Sequence, residues 1–599
     1  MIGPYQMVFI NFIGCLLVFG VAFFYRYIFP KRKINLFIFL LIISFLPLVS
    51  LLRAGVYESG DFNLHIYRAI AFYQNLVDGN LLPSWAGKLN ATYGYPLFVF
   101  LNPLPYYLIS FFHFLNFSFI ASMKIFIALA YILSGLFMYL LAKETLKNDL
   151  AAFTSSIFYL FMPYHFVDLH FRIDVGEILC FTLIPLLLFF TYRLFKRGAI
   201  VYIFWTALSF ALLIMSHQAI ALLALFPIVA FLLIQFLQNQ ERIRQIRLWM
   251  KLAAAFLLGI LISSYVWLPY LIFAKYNLSS TLFNALPSFI SVRELLYSPW
   301  RYGLLFQGPK GELSYLIGYA QLFILGYLLV YLLLKKTKAR YAMEVTIWLA
   351  TTAFLIFMLT PYSSIIWLNT PMLKNVLMSS RILSVITLGI SFAAGYFALI
   401  NRNRKVIVWL VIGLAISSTI LNWGNRRVIP QITDTQLINN LPLSTYQGEG
   451  LNYIANSIWF SNQPVWINKI PDSKIDTLKG QAEIKVLSIT STKHFYSVNS
   501  TGDAVLKENT LYYPGWTVSV NGKQTEINFT NKRYPGIITF TIPKGKTQIM
   551  VAYKDPPILQ ILKSGFILAL IAILSYTIFV FCKNPTLIAK LKKARKRFA

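Results

Sequence analysis

The sequence predicts a polytopic α-helical membrane protein with an external β domain before its last helix, and three observations lead to this fold class. The 599 residues are 58% hydrophobic and 12% charged, which leaves more apolar side chains than soluble cores of this size would bury. Apolar segments long enough to cross a bilayer recur up to about residue 423 and return once near the C-terminus. Between them, residues 424–556 carry short alternating segments that are typical of β-strands.

Basic clusters between the apolar segments predict the orientation of the chain. The net charge is +32, but the basic residues fall in short loops rather than on one soluble face. The pattern therefore indicates cytoplasmic loops and argues against nucleic acid as a partner. The clusters are Lys31–Lys33, Lys143–Lys147, Lys196–Arg197, Glu241–Lys251, Lys335–Arg340, Arg402–Lys405 and the tail KLKKARKRFA. If all of them lie inside the cell, the N-terminus lies outside and the C-terminus inside.

Thirteen crossings follow from the apolar segments and the parity of these loops. They are expected near residues 7–29, 35–53, 118–142, 150–165, 178–195, 199–215, 219–238, 252–274, 313–334, 345–360, 382–401, 406–423 and 558–582. One further apolar stretch, 96–115, is interrupted by Pro96, Pro103 and Pro105. A complete crossing there would move every later basic loop outside, so we expect a re-entrant or interfacial pair of short helices within an external loop at 54–117.

The segment 424–556 predicts an external β-sandwich. Its strand-like sequences are AEIKVLSITST, TLYYPGWTVSV, TEINFTN, GIITFTI and TQIMVAY, and the pair Asn521-Gly522 is favoured in a tight hairpin turn. Parity places this domain on the same side as the loop 54–117. The expected organisation is a membrane domain at 1–423, a β domain at 424–556, and a final helix with a basic tail at 557–599.

A first cluster of ionisable residues lies in ESGDFNLHIYR, directly behind an apolar segment. It contains Glu58, Asp61 and His65. If Asp61 begins a helix, His65 lies about one turn later on the same face. A carboxylate at a membrane boundary can be tuned in pKa and can orient a hydroxyl group. The alternative is that Asp61 caps the helix and His65 is an ordinary interfacial side chain.

A second cluster lies in PYHFVDLHFRIDVGE at 163–177, and its alternative interpretation is a solvated loop. Its candidate residues are Arg172, Asp174 and Glu177. Three more candidates are expected at the external ends of spans or in an external loop, namely His217, Arg293 and Arg381. Arg381 runs against the positive-inside trend, and its guanidinium group suits a phosphate. The alternative for His217 is a structural role, and the alternative for Arg293 is contact with lipid head groups.

A metal site is not defined by this pattern. The histidines and carboxylates of 163–177 offer ligands for a divalent cation, Mg²⁺ or Mn²⁺, but they lack a His-Glu-x-x-His pattern or another diagnostic spacing. Metal ligands and cofactors therefore stay unassigned from the sequence.

These segments, in their order along the chain, resemble the GT-C class of membrane glycosyltransferases. The order is ESGDFNLHIYRAI, YGYPLFVFLNPLPYYL, FYLFMPYHFVDLHFRIDVGE, SHQAIALLALFP, MSSRIL and finally YYPGWTVSVNGKQTEI with PKGKTQIMVAYKDPP. In particular it resembles bacterial membrane proteins of the YfhO-like group, including those labelled 6-pyruvoyl-tetrahydropterin synthase-related. Nothing in these residues resembles a soluble zinc site for a pterin.

The resemblance implies a multi-pass protein of the bacterial plasma membrane that transfers a sugar on the external face. The implied donor is a polyprenyl-phosphate-linked sugar, and the implied acceptor is a cell-envelope glycan, lipid or protein. Asp61 matches the catalytic base, with His65 or Glu177 orienting it, and inversion at the anomeric carbon is expected. Arg172 or Arg381 would stabilise the leaving phosphate, while Glu58, Asp174, His217 and Arg293 would bind substrate. Arg172-Ile173-Asp174 departs from the commoner Arg-Gly pairing.

Two other functions stay open from the sequence. A transporter or lipid flippase also needs many spans and buried ionisable groups, although no internal repeat or phosphate-binding loop supports it. A non-catalytic cell-envelope assembly protein would use the β domain to bind polymer. Replacement of Asp61 by Asn separates these from an enzyme.

Overall fold

The computed structural model describes residues 3–239, 241, 246–277, 288–335, 341–374, 376, 378–424, 428–429, 432–441, 458–460 and 470–582. The C-terminal tail KLKKARKRFA and the basic residues 336–340 lie outside the described residues.

The membrane domain is built from α-helices joined by short connections. The first twelve are α1 (Pro4–Ile28), α2 (Leu36–Phe45), α3 (Phe62–Val77), α4 (Leu97–Phe100), α5 (Leu104–Phe114), α6 (Phe119–Leu146), α7 (Asp149–Leu160), α8 (Pro163–Phe166), α9 (Val175–Arg197), α10 (Ile200–Ser216), α11 (Gln218–Leu223) and α12 (Leu225–Gln238). The following ones are α13 (Ile246–Ile262), α14 (Ser264–Phe273), α15 (Val292–Leu296), α16 (Tyr319–Lys335), α17 (Ala342–Leu359), α18 (Ser364–Asn369), α19 (Pro371–Lys374), α20 (Ile382–Ile400), α21 (Lys405–Ser417), α22 (Asp434–Asn440) and α23 (Pro557–Cys582).

The apolar helices match the predicted crossings in position. Across the described residues, eight helices are long and apolar enough to cross a membrane, and two bent pairs bring the number to ten. The pairs are Asp149–Leu160 with Pro163–Arg172, bent by 50°, and Ile246–Ile262 with Ser264–Tyr276, bent by 60°. Three shorter apolar helices, Leu36–Leu52, Ile200–Ser216 and Tyr319–Leu334, occupy the three remaining predicted positions. The predicted polytopic helical fold is confirmed.

Helix α20 forms the centre of the bundle. Its apolar window is entirely buried, and it packs against α7, α16 and α17. In contrast, α1 and α23 lie at the periphery and expose large apolar side chains such as Phe23 and Leu568. Such side chains are stable on the outside of the bundle only if hydrocarbon surrounds them.

The stretch 96–115 forms two short helices, as the prolines predicted. Helix α4 has 4 residues and α5 has 11, so neither reaches the length of about 20 residues that a crossing requires. Between α3 and α4, the chain passes through three consecutive left-handed residues, Asn90, Ala91 and Thr92. That conformation is costly for residues with a Cβ, so neighbouring structure must hold it in place.

The β domain contains two antiparallel sheets. The five-stranded sheet has the order β4-β5-β10-β7-β8 and the three-stranded sheet the order β3-β6-β9. The strands are β3 (Ile475–Lys479), β4 (Ala482–Ile489), β5 (Lys493–Ser500), β6 (Ala504–Leu511), β7 (Trp516–Val520), β8 (Lys523–Thr525), β9 (Ile537–Ile542) and β10 (Gly545–Tyr553). Tyr496, Leu506 and Val518 are among the inward side chains of its core. Two further strands, β1 (Val56–Tyr57) and β2 (Val428–Ile429), pair within the membrane domain.

The prediction of the strands was right for most segments and wrong for one. Asn521 and Gly522 form the predicted two-residue turn between β7 and β8, both with positive φ. The segment TEINFTN is a continuous strand only as far as Thr525, and farther on it meets β9 through an isolated bridge of Asn528 with Thr539. There the Asn528 and Asn531 side chains accept hydrogen bonds from the nearby backbone amides of Thr530 and Arg533, which competes with a longer ladder. Strands β3 and β5 and all but the last two residues of β6 were not predicted.

The β domain packs directly on the loop 54–117. The Ser491 amide and hydroxyl group both donate to the Asp78 carboxylate, at 2.7 and 2.6 Å. Lys474 Nζ donates to the Thr92 carbonyl oxygen at 2.6 Å, and the Leu511 amide donates to the Tyr93 carbonyl oxygen at 3.0 Å. These contacts place the β domain at the same end of the bundle as this loop, and they hold the left-handed turn.

Candidate functional site

Backbone hydrogen bonds join the two clusters of ionisable residues that the sequence predicted. The Gly60 amide donates to the Phe171 carbonyl oxygen at 2.9 Å, and the Asp61 amide donates to the Arg172 carbonyl oxygen at 2.7 Å. A Cβ on Gly60 would lie 3.3 Å from the Arg172 carbonyl oxygen, so glycine permits this close approach. The first external loop and the segment 163–177 therefore form one site.

Asp61 occupies the N-cap position of α3, but its side chain does not cap the helix. The Ser59 hydroxyl oxygen accepts the Phe62 amide instead, at 3.2 Å. The Asp61 carboxylate is 29% exposed and lies 3.8 Å from Arg172 Nε. Burial and the charge of Asp174 raise its pKa to about 6, although nearby arginines oppose the shift. The capping alternative is thus excluded for the side chain, and the carboxylate is available to a substrate.

Arg172 is the centre of the cluster. Its NH1 group donates to Glu177 Oε2 at 2.8 Å and to the Tyr164 hydroxyl group at 3.1 Å. Its NH2 group donates to Asp174 Oδ2 at 3.2 Å. One guanidinium group therefore contacts both Asp61 and Glu177, so their carboxylates lie within the separation of about 12 Å expected for a shared low-dielectric site.

Asp174 organises the opposite side of this guanidinium group. Its Oδ1 caps α9 by accepting the Gly176 and Glu177 amides, while Oδ2 also lies 3.7 Å from His217 Nε2 and 3.8 Å from Arg381 NH2. Burial alone would raise the pKa of Asp174, but His217, Arg172 and Arg381 hold it well below its usual range. Asp174 is therefore a fixed negative charge.

The backbone between these residues is unusual. Residues Val167–Arg172 form a π-helix, and Ile173 follows with φ 61° and ψ 53° in the left-handed region. A β-branched residue rarely adopts this conformation, and π-helical turns are often found at functional sites. The Ile173 side chain is completely buried. Ile173 therefore holds a left-handed conformation at a position where glycine is commoner, and glycine would adopt that conformation without strain.

Glu177 is enclosed, in contrast to Asp61. Its side chain is 0% exposed, and its two oxygens accept hydrogen bonds from the Tyr164 hydroxyl group and from Arg172. A carboxylate with both oxygens bonded and no access to solvent orients its partner rather than meeting a substrate. The geometry makes Glu177 a positioning residue for Arg172.

His65 contacts Tyr106 of α5 rather than the Asp61 carboxylate. His65 Nδ1 and the Tyr106 hydroxyl oxygen are 2.7 Å apart, and Arg68 also hydrogen-bonds to Tyr106. The Tyr106 hydroxyl group thus joins His65 and Arg68 of α3 to α5. Burial and the neighbouring cations lower the pKa of His65 to about 3, so this imidazole stays neutral.

Arg381 and Arg68 bring further positive charge to the site. Arg381 NH1 donates to the Val376 carbonyl oxygen at 2.6 Å. The Nε groups of Arg381 and Arg68 are buried without a hydrogen-bond partner among the described residues. An unsatisfied buried donor is costly, so each Nε group is available to donate to a group that enters the site.

Two predicted residues do not join this cluster, and three others were missed. The Glu58 and Arg293 side chains are exposed and make no hydrogen bond or ion pair to it in the described part of the chain. Arg68, Tyr106 and Tyr164 belong to the site, although the sequence analysis did not select them. Arg68 is almost two turns after Asp61 on α3, so the helical period was the signal that pointed to it.

The described residues contain no group of three or more His, Cys, Asp or Glu side chains arranged to hold a metal ion. Asp61, Asp174 and Glu177 converge on a guanidinium group instead. A requirement for Mg²⁺ or Mn²⁺ stays a prediction.

A family model described as a 6-pyruvoyl-tetrahydropterin synthase related domain, a membrane protein, matches residues 98–426. That is more than half of the chain. The chain belongs to this family. The resemblance seen in the sequence to the 6-pyruvoyl-tetrahydropterin synthase related group is therefore confirmed. The match contains Arg172, Asp174, Glu177, His217 and Arg381, whereas Asp61 and the β domain lie outside it.

Individual relatives are distant. An uncharacterized protein of Lactococcus lactis subsp. cremoris (strain MG1363) is 24% identical over 331 residues, covering 53% of this chain and 52% of the relative. The chain thus spans about half the length of that relative.

Two solved structures of mycobacterial enzymes show a weak likeness. The match to the arabinofuranosyltransferase AftD has 14% sequence identity and a TM-score of 0.35, and it covers 65% of this chain and 27% of the AftD chain. The match to the arabinosyltransferase EmbB from Mycobacterium smegmatis has 9% sequence identity and also a TM-score of 0.35, and it covers 88% of this chain and 63% of the EmbB chain. A score of this size carries no argument about fold or function.

Proposed function

We propose that the protein is a GT-C type membrane glycosyltransferase that moves a sugar from a polyprenyl-phosphate-linked donor to an external acceptor. The observation that carries the proposal is the Asp61 carboxylate, which is partly exposed, has a raised pKa, and lies 3.8 Å from a buried guanidinium group. A catalytic base works best when its pKa is near the working pH and it can reach the reacting hydroxyl group.

The chemistry requires one base and one stabilised leaving group. Asp61 takes the proton of the acceptor hydroxyl group as its oxygen attacks the anomeric carbon. The new C–O bond forms on the face opposite the donor, and the bond between the anomeric carbon and the phosphate oxygen breaks, with inversion. The lipid phosphate leaves as an anion and needs no proton from a general acid.

The surrounding residues stabilise the leaving phosphate and orient the base. Arg381 and Arg68 stabilise the charge that develops on the phosphate, because the Nε group of each is buried and has no hydrogen-bond partner within the described ranges. Arg172 is already bound to Glu177, Asp174 and Tyr164, so it orients Asp61 and adds positive charge. His65, which is neutral, positions Tyr106 and the start of α5.

The proposed location is the external face of the membrane. The cluster lies at the end of the bundle that carries the loop 54–117 and the β domain, and the parity of the basic loops in the sequence supports an external position for that end. The partners are then the bacterial plasma membrane, a lipid-linked sugar, and a glycan, lipid or protein of the cell envelope. A transporter or an assembly protein would not need a base of this kind.

Asp61→Asn tests the proposal. We expect purified protein in proteoliposomes to release polyprenyl phosphate from a panel of undecaprenyl-phosphate-linked hexoses and pentoses, and the variant to be about 10²–10⁴-fold slower. In the active protein, the rate should rise with pH through about 6, as Asp61 ionises. The matched control is Asp149→Asn, whose exposed carboxylate pairs with Lys143.

Two results would contradict the assignment. Full turnover by a folded Asp61→Asn protein would remove Asp61 as the base. Lack of turnover by the parent protein with every donor of the panel, together with unchanged cell-envelope glycans in a deletion strain, would favour transport or assembly.

A further inference from the structure

The described part of the β domain exposes a group of large apolar side chains at the end of the five-stranded sheet where β4 forms its edge. We call the set Val486, Leu487, Ile489, Phe495 and Met550 the β4 patch. Each is more than a third exposed, and Leu487 reaches 53%. Among the strands that the structure describes, none pairs with the outer side of the β4 backbone. Such an edge is a liability unless something covers it.

The patch is confined to one end of the strands. Ser488, Phe495 and Met550 form one cross-strand row, whereas Glu483, Asn499 and Lys546 form another row farther along the same three strands. All three residues of the second row are exposed and polar. With a rise of about 3.3 Å per residue, four residues separate the rows by about 13 Å. The sheet surface therefore changes from apolar to polar along the strands.

The apolar end is the end next to the membrane. Strand β10 ends at Tyr553 and the final spanning helix α23 begins at Pro557, a distance of at most about 14 Å of chain. Met550 precedes Tyr553 by three residues, while Lys546 precedes it by seven. The Tyr553 amide also donates to the Thr492 carbonyl oxygen in the β4–β5 turn, at 2.8 Å. That turn is thus fixed beside the entry of α23.

A neighbouring part of the membrane domain continues the apolar surface. Asp78 and Asn80 hydrogen-bond to the β4–β5 turn, and the adjacent side chains of Val77 and Leu81 are each 69% exposed. Lys563 of α23 donates to the Leu82 carbonyl oxygen, which ties this segment to the first turns of the spanning helix.

Basic side chains flank the patch. Lys493 and Lys554 are exposed at the same end of the sheet, and Lys485, opposite Ser497, is exposed halfway toward the polar row. Apolar residues that enter the boundary between head groups and acyl chains, with lysines beside them for anionic head groups, are the usual composition of an interfacial membrane contact.

We propose that the β4 patch lies in the interface of the bilayer that surrounds α23, with Leu487 at its deepest point and the three lysines at anionic head groups. The bilayer then shields the open edge of β4. This contact gives the β domain a second attachment beside α23, so that its position over the loop 54–117 is fixed by lipid as well as by protein. The inference does not depend on the proposed activity.

Site-directed spin labelling in proteoliposomes tests the proposal. The label is attached at Leu487→Cys, and at Asn499→Cys in the polar row as the matched control, both in Cys582→Ser protein because Cys582 is exposed. The Cys582→Ser protein without an introduced cysteine, treated with the same label, gives the background signal. We expect the Leu487 label to collide more with lipid-soluble oxygen than with a water-soluble nickel chelate, and the Asn499 label to show the reverse. Vesicles that contain phosphatidylglycerol should protect Leu487 from nickel more than vesicles of phosphatidylcholine alone.

Two outcomes would overturn the proposal. Nickel access at Leu487 equal to that at Asn499 would show that water covers the patch. Protection from both reagents, with dipolar broadening between labels, would show that β4 pairs with a second copy of the chain. Both positions are exposed and tolerate a small side chain, so loss of folding is not expected to obscure the result.

Discussion

Two buried ionic clusters, one around Arg172 in the membrane domain and one around Glu508 in the β domain, use similar residues in different ways. Glu508 is fully buried, accepts a hydrogen bond from the Tyr496 hydroxyl group at 3.1 Å, and lies 2.7 Å from His494 Nδ1. Burial would raise its pKa, but His494 and Lys474 lower it. Asp61 has its nearest cation at 3.8 Å and a raised pKa.

The difference lies in how closely each carboxylate is held by its partners. Glu508 bridges β5 and β6, which belong to different sheets: its Oε1 meets both His494 and Tyr496, while its Oε2 is buried without a hydrogen-bond partner among the described residues. The guanidinium group near Asp61 is already bound to Glu177 and Asp174. A carboxylate that is held in short hydrogen bonds stabilises a fold. A carboxylate that lies beyond hydrogen-bond distance of its cation is available for chemistry.

The largest effect that tests this comparison is expected at Glu508. Glu508→Gln leaves His494 without its charged partner inside the domain, so we expect a loss of about 3–5 kcal/mol in the free energy of unfolding. Asp61→Asn should cause no comparable loss, because it removes a charge that is poorly compensated. Thermal and denaturant unfolding of the intact protein in detergent measures both.

The control for that experiment is Glu526→Gln, an exposed carboxylate of the same domain, which should change the free energy of unfolding by less than about 0.5 kcal/mol. Equal losses for Glu508→Gln and Asp61→Asn would show that the two clusters serve the same structural purpose.

A pH series sharpens the comparison, with an effect of up to about 3 kcal/mol at Asp61. The pKa of Asp61 rises on folding from 3.8 to about 6, so its contribution to stability is present below pH 3.8 and is lost as the pH rises through 6. Glu508, whose pKa is lowered from 4.5, contributes above pH 4.5 and loses this contribution as the pH falls through its folded pKa.

The measurement is the unfolding free energy of the parent, Asp61→Asn and Glu508→Gln proteins between pH 4 and pH 8. The stability of Asp61→Asn relative to the parent should increase with pH and level off above about 6. A relative stability that decreases over this range would mean that ionised Asp61 is well paired in the folded protein, against the structure.

The smallest expected effect concerns the link between the two regions. Lys474 Nζ donates to the carbonyl oxygens of Thr92 and Asn509, and burial lowers its pKa. Lys474→Met leaves both oxygens without this donor, so we expect a loss of about 1–3 kcal/mol. Hydrogen exchange of the Leu511 amide, which donates to Tyr93, should become faster.

Lys523→Met, at the exposed start of β8, is the matched control and should leave that exchange rate unchanged. If Lys474→Met also leaves it unchanged, the β domain is held on the loop 54–117 by other contacts, such as those of Ser491 with Asp78.

The sequence was sufficient to predict features that are set by local composition and by parity. These include the positions of the crossings, the two short helices at 96–115, and the approach of Asp61 to Arg172, because both lie at the same membrane boundary. Tyr106 could not be selected, since its role depends on the packing of α5 against α3. Tyr164 lies within 163–177, but its contacts with Arg172 and Glu177 depend on how that segment folds. Strand β5 was missed because its alternation places the polar His494 inward, where an apolar side chain is expected.

The strained loop at Ile173 also escaped prediction. The sequence showed that Arg172 is followed by isoleucine where glycine is commoner, but it did not show which conformation would result. The structure retains the left-handed turn, and burial of the Ile173 side chain offsets part of the backbone cost.

The small ladder of β1 and β2 has a consequence for biosynthesis. Val56 pairs with Ile429, and close by, Arg53 NH2 donates to the Gly424 carbonyl oxygen, 371 residues later in the chain. At a synthesis rate of roughly 5–20 residues per second, the segment that carries Asp61 waits about 20–75 seconds on the ribosome for this partner. In a nascent protein, β1 therefore stays without its partner strand until residues 428–429 have been made, and the segment before Asp61 is not fixed by this ladder before then.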